Sequence, residues 1–297
     1  MRGGVPTDTR AWVEEQVGGR VVRADRLRGG ITSSVHALSL ELPGGARTSV
    51  VLRRWTDAAS PDHADALARE SRALRLLEPT PVPAPALLGI SEGAETDGTP
   101  ALLMRRVPGR MDLSPRDPSG WVGQMAAALA EVQSLAFDFP VYEPMPRPVP
   151  DEDLPWWTTP AVWRAALEAL QSPAPATPRC FTHGDFQHYN LLWSRRRLTG
   201  VVDWVESAVS APDHDVGHCR LNLTILFGWE RAELFRQAYE AEAGRRCEPW
   251  WDLHRLTAYD PDWQRFIPIQ VAGRIPVDVG AMTRRVEEGL TAALARL

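Results

Sequence analysis

The chain has 297 residues, of which 44% are hydrophobic and 24% are charged, and its formal net charge is -5. This length and composition exclude a largely disordered chain and predict one large domain or two lobes. The acidic balance argues against a general nucleic-acid binder, which needs a basic surface to contact phosphates.

The cysteines and the amino terminus indicate the compartment. Cys180, Cys219 and Cys247 are widely separated and form no CxxC pair, so neither a disulfide framework nor a zinc site is indicated. The amino terminus has no apolar signal segment, and no run approaches the roughly 18 apolar residues of a membrane helix. We therefore expect a soluble cytoplasmic protein with no membrane contact and no nucleic-acid partner, whereas the oligomeric state leaves no local motif.

The first third of the chain combines helical and β-prone patterns. Apolar residues at helical spacing predict a helix over residues 7–17, with Thr7 as a candidate cap. From about residue 20, three β-prone runs separated by glycines predict three antiparallel strands. Residues 63–77 have the spacing of an amphipathic helix, and residues 100–110 predict a strand that runs into a connector.

The rest of the chain is helix-rich, interrupted by proline-rich loops. We therefore expect a β-rich lobe over residues 1–104, a hinge over residues 105–110 and a helical lobe over residues 111–297.

The most informative polar residues lie between residues 179 and 208. Asp185, Asn190 and Asp203 fall in a loop and in the two β-prone runs that follow it on either side of a basic turn. The spacing from Asp185 to Asn190 equals that of the D-x-x-x-x-N kinase catalytic loop, and Asp203 follows where a magnesium-binding aspartate would lie. The set predicts phosphoryl transfer, with Asp185 as the base and with Asn190 and Asp203 as Mg²⁺ ligands.

The run HGDFQHYN (183–190), followed by VVDW (201–204), resembles the aminoglycoside phosphotransferase and choline kinase-like family of small-molecule kinases. The resemblance implies an α+β, protein-kinase-like bilobal fold with a β-rich N-terminal lobe and a helical C-terminal lobe. It also implies Mg²⁺, ATP or GTP as the phosphoryl donor, and a small hydroxylated acceptor such as an antibiotic, with antibiotic resistance as the biological role. The first lobe would cover the nucleotide, and the helical lobe would bind the acceptor. The stretch SAPDHDVGH also resembles the family, in which the residue matching Asp215 is mainly structural.

The resemblance also implies the nucleotide contacts. The run LRGGITSSVHALSL resembles the family's phosphate loop, in which Gly29, Gly30, Ser33 and Ser34 would approach the phosphates. A glycine pair before a strand is also typical of an ordinary hairpin turn.

Arg53 stands at the position of the phosphate-pairing lysine, and Glu70 at that of its helix partner. Because a guanidinium needs different room from an ammonium, two alternatives stay open: Arg53 pairs with Glu70 and the phosphates, or the pocket is remodelled. By position, Met104 would be the gatekeeper, and the backbones of Arg105 and Val107 would face adenine.

The histidines have plainer interpretations. His183 is expected to be a packed, structural histidine. His188 lies within the loop and could touch the acceptor, but a direct role is the less favoured alternative. The DHDVGH run at residues 213–218 suggests a metal site, but a helix cap at Asp213 or Asp215 with core contacts from the histidines explains it without a metal.

The sequence gives the least information about which acceptor the protein binds. Residues 228–262 contain eight acidic residues: Glu230, Glu233, Glu240, Glu242, Glu248, Asp252, Asp260 and Asp262. Arginines are mixed among them, which indicates solvated helix faces more than a trap for a polycationic antibiotic. The acceptor therefore stays open among aminoglycosides, macrolides and hydroxylated metabolites, and a non-catalytic nucleotide-binding protein remains the alternative function.

Overall fold

The computed structural model describes residues 4–27, 33–56 and 63–297. Within these residues the helices are α1 (Thr7–Val17), α2 (His63–Leu77), α3 (Pro118–Gln133), α4 (Pro160–Ala169), α5 (Asp213–Phe227), α6 (Trp229–Ala243), α7 (Pro249–Leu256), α8 (Trp263–Val271) and α9 (Met282–Leu294). The strands are β1 (Arg20–Arg26), β2 (Ser34–Glu41), β3 (Arg47–Arg54), β4 (Leu87–Ser91), β5 (Ala101–Arg105), β6 (Cys180–Thr182), β7 (Leu191–Ser194), β8 (Arg197–Val201) and β9 (Ala208–Ser210). This content confirms the expected α+β class.

The chain divides into two compact units. The first contains residues 1–109 and the short segment 199–206, and the second contains residues 110–198 and 207–297. Segment 199–206 lies far along the chain from residues 1–109 but groups with them, because the Val201 N–H donates to the Pro83 carbonyl and Asp203 binds Arg53.

The first unit is built on an antiparallel five-stranded sheet with the order β1-β2-β3-β5-β4. Apolar residues of the central strands, such as Leu38, Leu52 and Leu103, form a core with Trp12 and Val13 of α1. This core fixes β3, which carries Arg53 at its carboxyl end.

The second unit is helical, and α5 is its most buried element. Of its fifteen residues only His218 and Phe227 are partly exposed, and the rest are buried. A helix buried on every face must be surrounded by other elements. Helix α5 therefore gives the polar residues of its first turns, Asp213, Asp215 and His218, fixed positions inside the unit.

Most expected elements of the first third are confirmed, and two details are wrong. Strand β4 was not expected. Gly89 and the preceding prolines are not typical of a strand, and this short strand depends on its pairing with β5. Thr7 is not a cap: α1 begins at Thr7 after Pro6, and no described side chain caps it.

A third detail concerns α5. Pro212 precedes this helix, and the carboxylates of Asp213 and Asp215 bind partners elsewhere in place of capping it. Among the helices of the described segments, none is long and apolar enough to cross a membrane.

Candidate active site

In the second unit, the loop after β6 presents the Asp185 carboxylate with a donor on each oxygen. The Asn190 side-chain amide donates to Oδ2 over 2.8 Å, and the Gln187 amide donates to Oδ1 over 2.7 Å. Asn190 belongs to a single 3-10 turn, His188–Asn190, which brings its side chain back to Asp185. Two predicted site residues, Asp185 and Asn190, are thus in direct contact.

His218 is the second partner of Oδ1, a contact that was not predicted from the sequence. Its Nε2 lies 2.7 Å from Asp185 Oδ1. The spacing of His218 from Asp215 could have predicted this contact, because residues three apart lie on the same face of a helix. Because Asp215 binds the backbone of the same loop, His218 one turn later lies beside the loop's carboxylate.

Asp215 holds the loop itself. Its two oxygens accept the backbone N–H groups of His183 and Gly184, each over 2.8 Å. Gly184 has a φ of 83°, a left-handed conformation that glycine adopts without steric cost. The glycine of the HGD motif is therefore required by the turn that presents Asp185, and the structural role expected for Asp215 is visible in these two bonds.

The local electrostatics keep Asp185 ionised. Burial raises the pKa of the Asp185 carboxyl, but the hydrogen bond and charge of His218 outweigh it, and the net pKa is lowered. The side chain remains 28% exposed. Asp185 is therefore a deprotonated, accessible carboxylate, which is the form that a general base needs.

His188 packs in the core and does not take part in this network. The ring is fully buried against Trp121, Tyr189 and Phe227, and burial lowers its pKa to about 3. A histidine that stays neutral and enclosed cannot exchange protons with a ligand at ordinary pH.

In the first unit, Arg53 joins Glu70 and Asp203. Its NH1 lies 3.1 Å from Glu70 Oε2 and 2.6 Å from Asp203 Oδ1, and its Nε donates to Ser33 Oγ over 2.9 Å. Burial lowers the pKa of Arg53, but Asp203 and Glu70 more than offset it and raise the pKa overall. The guanidinium is therefore a permanent cation that uses the fork geometry a lysine lacks.

Asp203 is held in an unusual backbone conformation. Its φ is 70°, which costs a non-glycine residue on the order of 1–3 kcal/mol and is typical of functional sites. The following residue supports it: the Trp204 N–H donates to Glu70, and the buried Trp204 indole donates to the Val201 carbonyl over 2.9 Å. The turn therefore fixes the Asp203 side chain beside Arg53.

The residues proposed for magnesium keep suitable oxygens. Asp203 uses Oδ1 for Arg53, and its Oδ2 has no hydrogen-bond partner among the residues that the structure describes. Asn190 donates through its amide nitrogen, so its Oδ1 is left as an acceptor. Hard oxygen ligands are those that Mg²⁺ prefers, so the residues present fit this ion.

The DHDVGH run does not form a metal site. Across the described part of the chain, no group of three or more histidine, cysteine and acidic side chains is arranged to hold a metal ion. Asp213 pairs with Arg245, and His214 contacts Arg255.

The remaining nucleotide candidates belong to the first unit. Gly29 and Gly30 lie outside the described residues. Ser33 is tied to Arg53, and the Ser34 hydroxyl lies 3.5 Å from His36 Nδ1.

At the expected hinge, Met104 is buried in β5. The Arg105 N–H donates to the Ala86 carbonyl over 2.8 Å. The Arg105 N–H is therefore already hydrogen-bonded within the first unit. The contacts of Met104, Arg105 and Val107 with adenine stay predictions.

Comparison with known proteins identifies the fold. A thermostable mutant of aminoglycoside phosphotransferase APH(4)-Ia, solved with ADP and hygromycin B, superposes with a TM-score of 0.60 at 18% identity, covering 97% of this chain and 98% of that chain. Macrolide 2'-phosphotransferase MphH from Brachybacterium faecium has a TM-score of 0.59 at 19% identity, covering 95% and 96%. The streptomycin-ATP complex of APH(2")-IIa has a TM-score of 0.54 at 15% identity, covering 97% and 99%. These similarities confirm the expected kinase-like fold.

No curated protein matches the chain in sequence. Residues 29–258 match the phosphotransferase enzyme family, APH, over a segment that includes the Asp185 loop and Asp203. The resemblance noted from the HGD and DW motifs is thereby confirmed, and the chain belongs to the phosphotransferase enzyme family.

Proposed function

We propose that the protein is a magnesium-dependent small-molecule kinase that moves the γ-phosphoryl group of ATP or GTP to an alcohol hydroxyl. The observation that carries this proposal is the Asp185 carboxylate: ionised, partly exposed, and oriented by Asn190, Gln187 and His218. Phosphoryl transfer needs little covalent chemistry from the protein beyond such a positioned base and charge compensation at the phosphates.

In the proposed reaction, Asp185 accepts the proton of the acceptor hydroxyl. The hydroxyl oxygen forms a bond to the γ-phosphorus, and the bond from that phosphorus to the β–γ bridging oxygen breaks. The electron pair leaves with the nucleoside diphosphate, and the proton is later released from Asp185 to solvent. Asn190 keeps Oδ2 of Asp185 oriented through its amide.

Compensation of the phosphate charge is assigned to Arg53 and to a Mg²⁺ ion that Asn190 and Asp203 would hold. When bound, Mg²⁺ supplies positive charge to the phosphate oxygens, and Asn190 Oδ1 and Asp203 Oδ2 are its proposed ligands. Arg53, a fixed cation, would bind the α and β phosphates while keeping Glu70 as its buried partner. Ser33 orients the guanidinium.

A non-catalytic nucleotide-binding protein is the second candidate, and one contact favours it. The 2.6 Å ion pair of Arg53 with Asp203 engages the residue that must ligate the metal. If this pair persists with nucleotide bound, binding would occur without turnover.

The acceptor class includes antibiotics as candidates. The similar structures are named as aminoglycoside and macrolide phosphotransferases, and they include complexes with hygromycin B and streptomycin. Antibiotic resistance is therefore a proposed role, beside phosphorylation of a hydroxylated metabolite.

The test is transfer of labelled γ-phosphate from ATP and from GTP, with Mg²⁺, to a panel of aminoglycosides, macrolides and hydroxylated metabolites. Asp185→Ala should abolish transfer and leave nucleotide affinity nearly unchanged. Asp203→Ala should weaken Mg-nucleotide binding itself. Asp8→Ala, an exposed carboxylate on α1, is the matched control. Nucleotide binding with no product from any acceptor would favour the non-catalytic alternative, and full activity of Asp185→Ala would refute the base assignment.

A further inference from the structure

Several buried or partly buried arginines in the second unit are neutralised by carboxylates. Arg220 pairs with Asp252, Arg236 pairs with Glu240, and Arg245 pairs with Asp213. This is the expected arrangement, because an unpaired charge is costly to shield from water.

Arg147 and Arg255 do not follow this pattern. Neither has a carboxylate within 4.0 Å in the part of the chain that the structure describes, although both are partly buried. The Nε of Arg147 is shielded from solvent and has no hydrogen-bond partner among the described residues. Arg255 instead contacts the carbonyl and ring of His214, which are neutral groups.

The two arginines share one neighbourhood. The guanidinium carbon of Arg255 lies 6.0 Å from the ring centre of Tyr142, and Tyr142 belongs to the same loop as Arg147. The loop is fixed to α7, since His254 Nε2 lies 3.1 Å from the Met145 carbonyl oxygen. Arg255 is the next residue of α7.

Helices α5 and α7 approach closely beside Arg255. A Cβ added at Gly217 would lie 2.7 Å from the Trp251 carbonyl oxygen and 3.1 Å from Cγ of Arg255. The absence of a side chain at Gly217 therefore leaves room for Arg255 to lie across α5, one residue before His218.

The two arginines are close enough for the charge of Arg147 to act on Arg255. Burial lowers the pKa of Arg147 and that of Arg255, and Arg147 lowers the pKa of Arg255 further. Tyr142, Asp215 and Asp185 oppose this effect at Arg255, so the arginine lies within the electrostatic range of the proposed base. An added anion would relieve the repulsion between the two cations.

A cavity adjoins Arg147. It has a volume of about 240 Å³, and its lining includes Met145, Arg147, Leu170, Trp250 and His254. The Trp250 and His254 rings stack at 5.1 Å and form a flat wall. An apolar wall with a few polar groups is typical of a small-molecule site.

Three of the eight acidic residues of 228–262 have their charge neutralised by arginines and provide no counterpart for a polycation. Glu233, Glu240 and Asp252 are engaged by arginines, which corrects the expectation that they lie on solvated helix faces. Their charge is used to hold α5, α6 and α7 together.

We infer that the acceptor is a hydroxylated molecule carrying a carboxylate or a phosphate, and that this anionic group binds between Arg147 and Arg255. The inference rests on the proposed kinase function and names its acceptor class. Both side chains can donate paired hydrogen bonds to such an oxyanion.

The test measures binding separately from transfer. Calorimetric titrations of the full chain, saturated with Mg²⁺ and a non-hydrolysable ATP analogue, use glycerate, glycerol 3-phosphate and the neutral glycerol as probes. At least one anion should bind more tightly than glycerol, and comparison of the two anions separates a carboxylate site from a phosphate site. Arg147→Gln and Arg255→Gln should each weaken that binding by about tenfold to a hundredfold.

Matched variants keep the test decisive. Arg147→Lys and Arg255→Lys retain the charge and should recover part of the affinity, whereas Arg265→Gln, an exposed arginine of α8, should leave it unchanged. The inference is overturned if no anion binds, if glycerol binds as well, or if neither Gln variant differs from wild type. Transfer to a polycationic antibiotic that is unaffected by Arg255→Gln would overturn it while leaving the kinase function intact. Arginine-dependent anion binding without transfer to any acceptor would instead refute the kinase function.

Discussion

Nε2 of His218 lies 2.7 Å from Oδ1 of Asp185, and Nδ1 on the other side of the ring is buried with no hydrogen-bond partner in the part of the chain that the structure describes. Because no described acceptor stands behind the ring, His218 cannot pass a proton further along a chain of groups. It therefore acts on Asp185 by orienting the carboxylate and stabilising its charge.

Replacing His218 by leucine should shift the pH dependence of transfer. The histidine lowers the pKa of Asp185, so its loss raises that pKa and moves the acidic limb of the kcat/KM profile to higher pH. We expect kcat at neutral pH to fall by about tenfold, as for loss of an orienting contact to a general base. His218→Gln keeps a donor and should recover part of kcat, and an unchanged pH profile in His218→Leu would contradict this role.

Arg53→Lys should weaken nucleotide use. One ammonium cannot reproduce the contacts that the guanidinium makes with Ser33, Glu70 and Asp203. We expect the KM for the nucleotide to rise by about tenfold, the cost of one charge-assisted hydrogen bond. The neighbouring Arg54 is also buried but binds Asp97, so Arg54→Lys is the control that should affect stability and leave this KM unchanged. Equal KM values for both variants would argue against a phosphate contact by Arg53.

Asp215→Ala should loosen the catalytic loop. The change leaves the His183 and Gly184 N–H groups buried without acceptors, and we expect unfolding free energy to fall by about 3 kcal/mol. Urea unfolding measures this loss, and kcat should fall with it because the loop carries Asp185. Asp213→Ala is the matched control: Asp213 is equally buried but pairs with Arg245. It should cost stability with a smaller effect on kcat, and the same kcat in both variants would exclude a special role for Asp215.

Glu287 makes stability depend on pH. Its carboxylate accepts the N–H groups of Thr158 and Thr159 and the indole N–H of Trp163, so α9 holds the start of α4. Burial raises the Glu287 pKa, but these donors outweigh it and lower the pKa overall.

A lowered carboxyl pKa gives stability that is present above the unfolded value of about 4.3 and is lost as pH falls through the folded value. Glu287→Gln should therefore reduce unfolding free energy at neutral pH by about 2 kcal/mol and flatten the acid dependence. Thermal unfolding from pH 7 to pH 3 measures both effects. Glu288→Gln, an exposed neighbour paired with Arg284, should change neither, and parallel curves for Glu287→Gln and wild type would contradict the assignment.

The sequence by itself determined the class of fold and the motif residues. The period-2 runs before residue 55 and the helical spacing of residues 63–77 are local signals, and they form β1, β2, β3 and α2. The spacing of Asp185 and Asn190 is likewise local, and a single turn of chain brings the two side chains together. The short strand β4 could not be predicted in this way, because it depends on its pairing with β5.

Only the tertiary structure decided which side chains complete the site. His218 reaches Asp185 because Asp215, one turn earlier on the buried helix α5, binds the loop backbone. The distribution of charge was equally hidden: carboxylates of residues 228–262 are engaged by arginines, whereas Arg147 and Arg255 are left without carboxylate partners in the described structure. The pairing of Arg220 with Asp252 joins residues far apart in the chain, so it depends on helix packing and leaves no periodic or spacing signal in the sequence.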